Sequence, residues 1–178
     1  MTNKPKILVV DEHDTPIGEA PKEEVWQKGL FHRIVRIMLE DEQGRILLQR
    51  RSMQVESFPG YWDHSAAGHV DAGEDYDEAA RRELQEELGI TDVTLHKVAI
   101  YRADTLFNGR PLHRFNALYK ATINSAQPLK LQKSEVGEAR WFTLDEIKQF
   151  ISEQSDKVTD GLAQVIANYY NDNHNQAS

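Results

Sequence analysis

The sequence predicts an α+β fold in which a mixed β-sheet lies between helices. Three observations lead there. Alternating apolar and polar residues fall on both sides of one carboxylate-rich helical stretch, residues 68–90. The alternation before it, over residues 31–50, is broken by a turn at Asp41-Glu42-Gln43-Gly44. Helical periodicity returns after the last strand-like stretch. Sheet, helix, more sheet and further helix is the order expected of a sheet covered on both faces. Periodicity alone does not choose this layout over other α+β arrangements.

Taken in order, residues 6–10 (Lys-Ile-Leu-Val-Val) read as a short strand. Residues 11–18 form a turn, and Thr15-Pro16-Ile17-Gly18 lead into a return strand. Residues 21–29 suit a short helix with Pro21 in its first turn. Strands are expected over 31–39 and 45–50, then a loop over 52–65 containing Pro59-Gly60 and the aromatics Tyr61 and Trp62. Beyond the carboxylate helix, strands over 93–102 and 112–123 are joined by an arm, Phe107-Asn108-Gly109-Arg110-Pro111. Arg140-Trp141-Phe142 is a further short strand, Thr143 caps a helix to about Ser152, and residues 160–171 form a last amphipathic helix. The polar tail NDNHNQAS is expected to fray.

The carboxylate helix has clear ends. Asp75 is a good N-cap, Glu78 completes a capping box, and Gly89 suits a left-handed C-cap. At roughly 100° per residue, Glu83, Glu86 and Glu87 share a sector of about 100°. Ala80, Leu84 and Leu88 make an adjacent stripe that would bury the helix on a sheet. Three anions so close repel one another, and a hard cation with oxygen ligands relieves this. Gly68 lets backbone carbonyls approach such an ion. The plainer reading is a solvated acidic face; the spacing of the whole segment favours the metal.

That segment, a glycine, a spacer to Glu74, then Arg82-Glu83-Leu84-Gln85-Glu86-Glu87-Leu88-Gly89-Ile90, resembles the signature of the Nudix hydrolases at every defined position. The resemblance implies a Nudix-type α/β/α sandwich and an enzyme that uses Mg²⁺, with Mn²⁺ as a substitute, against a diphosphate. It implies Gly68, Glu83, Glu86 and Glu87 as metal ligands, with Glu86 or Glu87 in the catalytic chemistry. Glu74 and Arg82 are expected to form an ion pair that fixes the loop, and Gly89 to end the helix. Glu135, six residues before Trp141, is a candidate additional ligand or base, and Glu138 is its rival in the same loop.

The flanks Leu47-Leu48-Gln49-Arg50-Arg51, Phe58-Pro59-Gly60-Tyr61-Trp62 and Ser65-Ala66-Ala67-Gly68-His69 resemble the isopentenyl-diphosphate isomerase branch of that family. Three departures speak against isomerase activity. Ala67 stands where the isomerases carry a cysteine, Leu112-His113-Arg114 lacks their acidic pair, and all three helix glutamates are present. The resemblance supports Arg51, with Arg50, as phosphate contacts. His32 and His69 match metal-binding histidines of the isomerases. Tyr61 and Trp62, with Phe58, either cover the substrate or form a small core under their loop.

Composition narrows the rest. The 178 residues are most simply one domain, with a core over about 31–150, an N-terminal hairpin extension over about 5–30 and a C-terminal helix over about 158–172. A formal charge of −8 argues against a nucleic-acid polymer as partner. There is no cysteine, so no thiolate chemistry and no disulfide frame. No apolar run suits a signal peptide or a membrane span, so a cytoplasmic protein is expected. The expected partner is a small diphosphate substrate. A homodimer through the N-terminal hairpin and C-terminal helix stays open, as do isomerase-like activity and a non-catalytic diphosphate sensor.

Overall fold

A computed structural model of the chain describes residues 6–170. In chain order the elements are β1 (Ile7–Val10), β2 (Pro16–Ala20), α1 (Lys22–Lys28), β3 (His32–Glu40), β4 (Ile46–Arg51), β5 (Trp62–Asp63) and β6 (Ala66–His69). There follow α2 (Tyr76–Leu88), β7 (His96–Phe107), β8 (Arg110–Thr122), β9 (Val136–Phe142), α3 (Leu144–Glu153) and α4 (Asp160–Tyr169).

β3 is the centre of one mixed sheet. Along one edge it pairs in parallel with β8 from His32↔Arg114 to Glu40↔Thr122. Its other edge is shared by β1 at Val9, by β6 from Ile34↔His69 to Ile37↔Ala66, and by β4 at Leu47 and Ile46. β9 and β5 extend the sheet from β4, and β7 extends it from β8.

The period-2 alternation sends side chains to two helical layers. Val35, Ile37, Leu39 and Leu47 pack with Leu84 and Leu88 of α2. Met38, Ile46, Leu48 and Leu118 pack with Ile147 of α3 and Leu162, Val165 and Ile166 of α4. Each fully buried leucine or isoleucine contributes roughly 1.5–3 kcal/mol, so both layers are held by ordinary apolar burial. A smaller cluster, Ile7, Val9, Ala20 and Val25, closes the N-terminal hairpin under α1. The result is the α/β/α sandwich expected of the sequence.

Several boundaries differ from expectation. The arm at 107–111 is a tight hairpin turn: Asn108 and Gly109 take φ of 51° and 75°, and Phe107 pairs directly with Arg110. Asn-Gly favours this two-residue turn, so both strands run to its edge. The loop over 52–65 contains β5, paired with Gln49 and Arg50. Residues 66–69 form β6 because β3 offers them an unpaired edge. β9 begins at Val136, which puts Glu138 in a strand rather than in a loop with Glu135. The expected frayed tail, residues 171–178, lies outside the described residues, as do residues 1–5. No described helix is long and apolar enough to cross a membrane.

Candidate active site

The site is built on α2. Asp75 caps it through the Glu78 N–H at 2.8 Å, and Glu78 returns the bond to the Asp75 N–H at 2.9 Å. Gly89 ends it with φ of 71°, the left-handed cap expected of it. With Ala80, Leu84 and Leu88 fixed against the sheet, the neighbouring Glu83 and Glu87 are drawn into the seam between α2 and β6. They are 7% and 3% exposed. Glu86, on the outer side, keeps half its side chain in solvent.

Burial dominates the electrostatics of this seam. It pushes the Glu83 carboxyl up to about 7, against the pull of Arg82 and with added repulsion from Glu135 and Glu86. Burial also holds Glu87 well above the usual carboxylate range, with Glu83 adding to the effect. Glu87 Oε2 accepts from Gln49 Nε2 at 2.9 Å and from the Ala67 N–H at 3.1 Å. Gly68 lies directly under Glu83, and a β-carbon at this position would overlap the Glu83 carboxylate. The glycine here is required by a close approach.

Arg82 ties the preceding loop to the helix. Its Nε donates to Glu74 Oε1 at 2.7 Å, its Nη2 to the His69 carbonyl at 2.9 Å, and its Nη1 to Glu83 Oε1 at 2.7 Å. The Glu74–Arg82 pair therefore also holds a glutamate of the site. Arg82→Gln is expected to destabilise the fold by about 1–3 kcal/mol, because a partly buried cation that donates to Glu74, Glu83, Glu86 and the His69 carbonyl is lost. Urea denaturation at neutral pH measures this.

A cavity of about 580 Å³ opens in front of these residues. Gly68, Glu83, Glu86, Glu87, Glu135 and Arg51 all line it. Glu135 sits in the turn before β9, where its Oε1 accepts from Gln132 Nε2 at 3.3 Å. Glu138 instead pairs with Arg140. Arg51 is held by the Ser57 carbonyl at 2.9 Å and by Asp63 Oδ2 at 3.2 Å.

The structure does not bring Arg50, Tyr61 or Trp62 to the cavity. Arg50 turns outward to the Gly60 carbonyl, because alternate residues of β4 face opposite sides. Trp62 packs edge-on against Phe142 at 5.1 Å within the α3–α4 core, and Tyr61 leans on Phe58. Of those aromatics only Phe58 reaches the cavity wall, beside Trp26 and Phe107, which sequence reasoning did not single out. Arg36 and Arg114 were also missed as cavity residues. A second arginine, set among Val35, Ile37 and Met38 in the strand, was the signal for Arg36.

His32 and His69 stack with ring centres 5.3 Å apart. Burial lowers His32 to about 4, and its Nδ1 lies 3.0 Å from the Leu30 carbonyl. Arg114 is its partner in the sheet register, so a cation between the two rings would face a guanidinium.

Asp63 anchors the far wall. Burial would raise its carboxyl, but His64, Arg51 and Arg36 together hold it well below the usual range. Thr159 also donates to it at 2.8 Å. A depressed carboxyl stabilises the fold above its unfolded value near pH 3.9, and that contribution is lost as pH falls below it. The stability difference between the native chain and Asp63→Asn is therefore expected to be constant from pH 5 to 7 and to shrink below about pH 4. Denaturation titrations at each pH read it directly.

The donor set fits a hard divalent cation. It offers carboxylate oxygens, two of them on buried acids lacking full countercharge. Among the described residues no three such groups already converge on one point. Arg82 accounts for part of this, since Nη1 draws Glu83 at 2.7 Å and Glu86 at 3.3 Å toward itself.

Comparison with known proteins decides the family. The sequence profile described as NUDIX domain matches residues 30–167. The chain belongs to the Nudix family. An uncharacterized Nudix hydrolase of Pseudomonas aeruginosa is 39% identical over 135 residues, 76% of each chain. A Photorhabdus laumondii protein named isopentenyl-diphosphate Delta-isomerase 2 is 33% identical over 162 residues, 90% of this chain and 89% of its own length. Among solved structures, a Deinococcus radiodurans protein superposes with a TM-score of 0.77 at 24% identity, covering 93% of this chain and 99% of its own. The Nudix domain of Shewanella oneidensis NrtR, complexed with ADP ribose, superposes at 0.60 with 17% identity, over 76% of this chain and 84% of its own. As a Nudix hydrolase the chain is an enzyme, and its carboxylate helix is the segment on which the sequence resemblance rested.

Proposed function

We propose that this Nudix hydrolase cleaves the diphosphate linkage of a nucleoside diphosphate or related small X–diphosphate with the help of Mg²⁺. One observation carries the reading: Glu83 and Glu87 are buried side by side in the floor of the cavity, with Glu86 and Glu135 beside them. Buried acids without full countercharge are costly, and they favour a cation and the anion it brings.

Glu83, Glu86, Glu87 and the Gly68 carbonyl would hold the ion. When bound, it supplies charge neutralisation at the diphosphate and lowers the pKa of the water it touches. Arg51 faces the same cavity and would grip a phosphate oxygen. A carboxylate must take the proton from the attacking water, and Glu86, Glu87 and Glu135 are the candidates within the cavity. Gly68 keeps the backbone close beneath Glu83, and Arg82 fixes the loop that carries Gly68. The acidic net charge supports a small substrate over a nucleic-acid polymer.

The similarity to a protein named as an isomerase favours a second reading, proton transfer on an isoprenyl diphosphate. Ala67 precedes Gly68 and the chain has no cysteine, so hydrolysis is preferred. Phosphate release from nucleoside di- and triphosphates, ADP-ribose and isopentenyl diphosphate, with Mg²⁺ and phosphatase coupling, tests both. Turnover of one class, abolished by EDTA, is expected. Conversion of isopentenyl to dimethylallyl diphosphate without phosphate release would replace hydrolysis by isomerisation. Binding without turnover would favour a sensor.

A further inference from the structure

The cavity has a second end of opposite charge. Arg36 on β3 and Arg114 on β8 line it, 6% and 8% exposed. Both alternate with residues that pack toward α2 (Val35 and Ile37, and Phe115), so their guanidinium groups lie on the other face of the sheet from the glutamates. Arg36 lies against the start of α4, where a β-carbon on Gly161 would collide with the guanidinium.

Buried guanidinium groups are normally matched by carboxylates. Here the match is incomplete. Arg36 Nε donates to the neutral Asn116 Oδ1 at 2.8 Å, and no ion pair joins Arg36 to a carboxylate among the described residues. Arg114 Nη2 donates to the Thr105 hydroxyl at 2.6 Å, and its buried Nε has no partner. The nearest acid to Arg114 is the half-exposed Asp160, at 3.6 Å. Asp63 feels both arginines but is committed to His64, Thr159 and Arg51. Two positive charges thus face the cavity, where Asp63 is shared among several donors and Asp160 is half-exposed and pairs, among the described residues, only with Arg114.

We propose that Arg36 and Arg114 form an anion subsite that takes a phosphoryl group of the substrate, beyond the part held at the glutamate helix. The proposal rests on this cavity being the substrate site. A tetrahedral phosphoryl dianion has enough oxygens to engage two guanidinium forks, including the unpartnered Nε of Arg114. The favoured substrate class is then a diphosphate bearing phosphoryl groups at both ends of the cavity, rather than one with a purely apolar tail.

Calorimetric titration of inorganic phosphate and of pyrophosphate into the full chain in EDTA tests this apart from hydrolysis. Arg114→Gln is expected to weaken binding about tenfold. Asp160→Asn removes the competing acid from a half-exposed position and is expected to tighten binding about twofold to threefold. Glu86→Gln is expected not to weaken it, so a failure of the hydrolase reading leaves this result standing. The subsite is overturned if the native chain binds neither anion, or if Arg114→Gln and Asp160→Asn both leave the affinity unchanged. If Arg114→Gln does not fold, Asp160→Asn decides alone, and unchanged affinity overturns the proposal.

Discussion

Glu86→Gln is expected to lower turnover of the favoured diphosphate by about 10²–10⁴-fold while moving the thermal midpoint by no more than about 2 °C. The substitution keeps shape and removes one charge. Glu86 keeps half its side chain in solvent and accepts only a long hydrogen bond from Arg82, at 3.3 Å, so little of the fold depends on it. Glu87→Gln is the sharper companion. Its oxygen can still accept from Gln49 and the Ala67 N–H, while the cost of burying an acid disappears. Activity should fall as far as with Glu86→Gln, and stability should hold or rise. That combination is the mark of a group kept for chemistry at the expense of the fold. Steady-state kinetics beside thermal melts read both quantities. Full turnover in either variant would remove that glutamate from the proposed chemistry.

Gly68→Ala should damage fold and function together. One added methyl meets the Glu83 carboxylate, and either the side chain leaves the seam or β6 shifts from β3. Overpacking of this kind costs about 1–3 kcal/mol. Turnover should drop at least about tenfold at temperatures where the variant is fully folded, because the carboxylate proposed as a ligand is displaced by more than the tolerance of a working site. Gly18→Ala, where nothing lies within reach of a new β-carbon, serves as the neutral comparison. A double substitution, Gly68→Ala with Glu83→Ala, should recover stability without activity. An unaffected Gly68→Ala variant would show that Glu83 moves aside freely and is not held where the structure has it.

Glu86, Glu87 and Gly68 were legible in the sequence because their placement is local. Asp75, Glu78 and Gly89 fix the ends of α2, and the ends fix which glutamates share a face. Most strands along the chain were legible for the same reason, from alternation and turn chemistry, but β5 and β6 were not. What could not be read was which side of a strand faces the cavity. Arg50 and Arg51 are neighbours in sequence, but one turns to Gly60 and the other to Asp63. Trp62 looked like a binding aromatic in a loop; pairing of β5 with β4 turns it into the α3–α4 core. Arg36 and Arg114 lie far apart in sequence and share the cavity wall only because β3 and β8 are parallel neighbours. Non-local pairing of that kind leaves no trace in a window of ten residues.

The same parallel pairing sets an order of assembly. β7 and β8 are joined by a two-residue turn and can zip locally, within microseconds. β3, although synthesised much earlier, has no partner for one whole edge until β8 is present. A nascent or truncated chain ending before residue 110 therefore displays an apolar strand, His32–Glu40, with its hydrogen-bonding groups unpaired. Such a fragment is expected to aggregate or recruit chaperones. The carboxylate helix lies between β3 and β8 in the chain, so it is made before β8 completes the sheet.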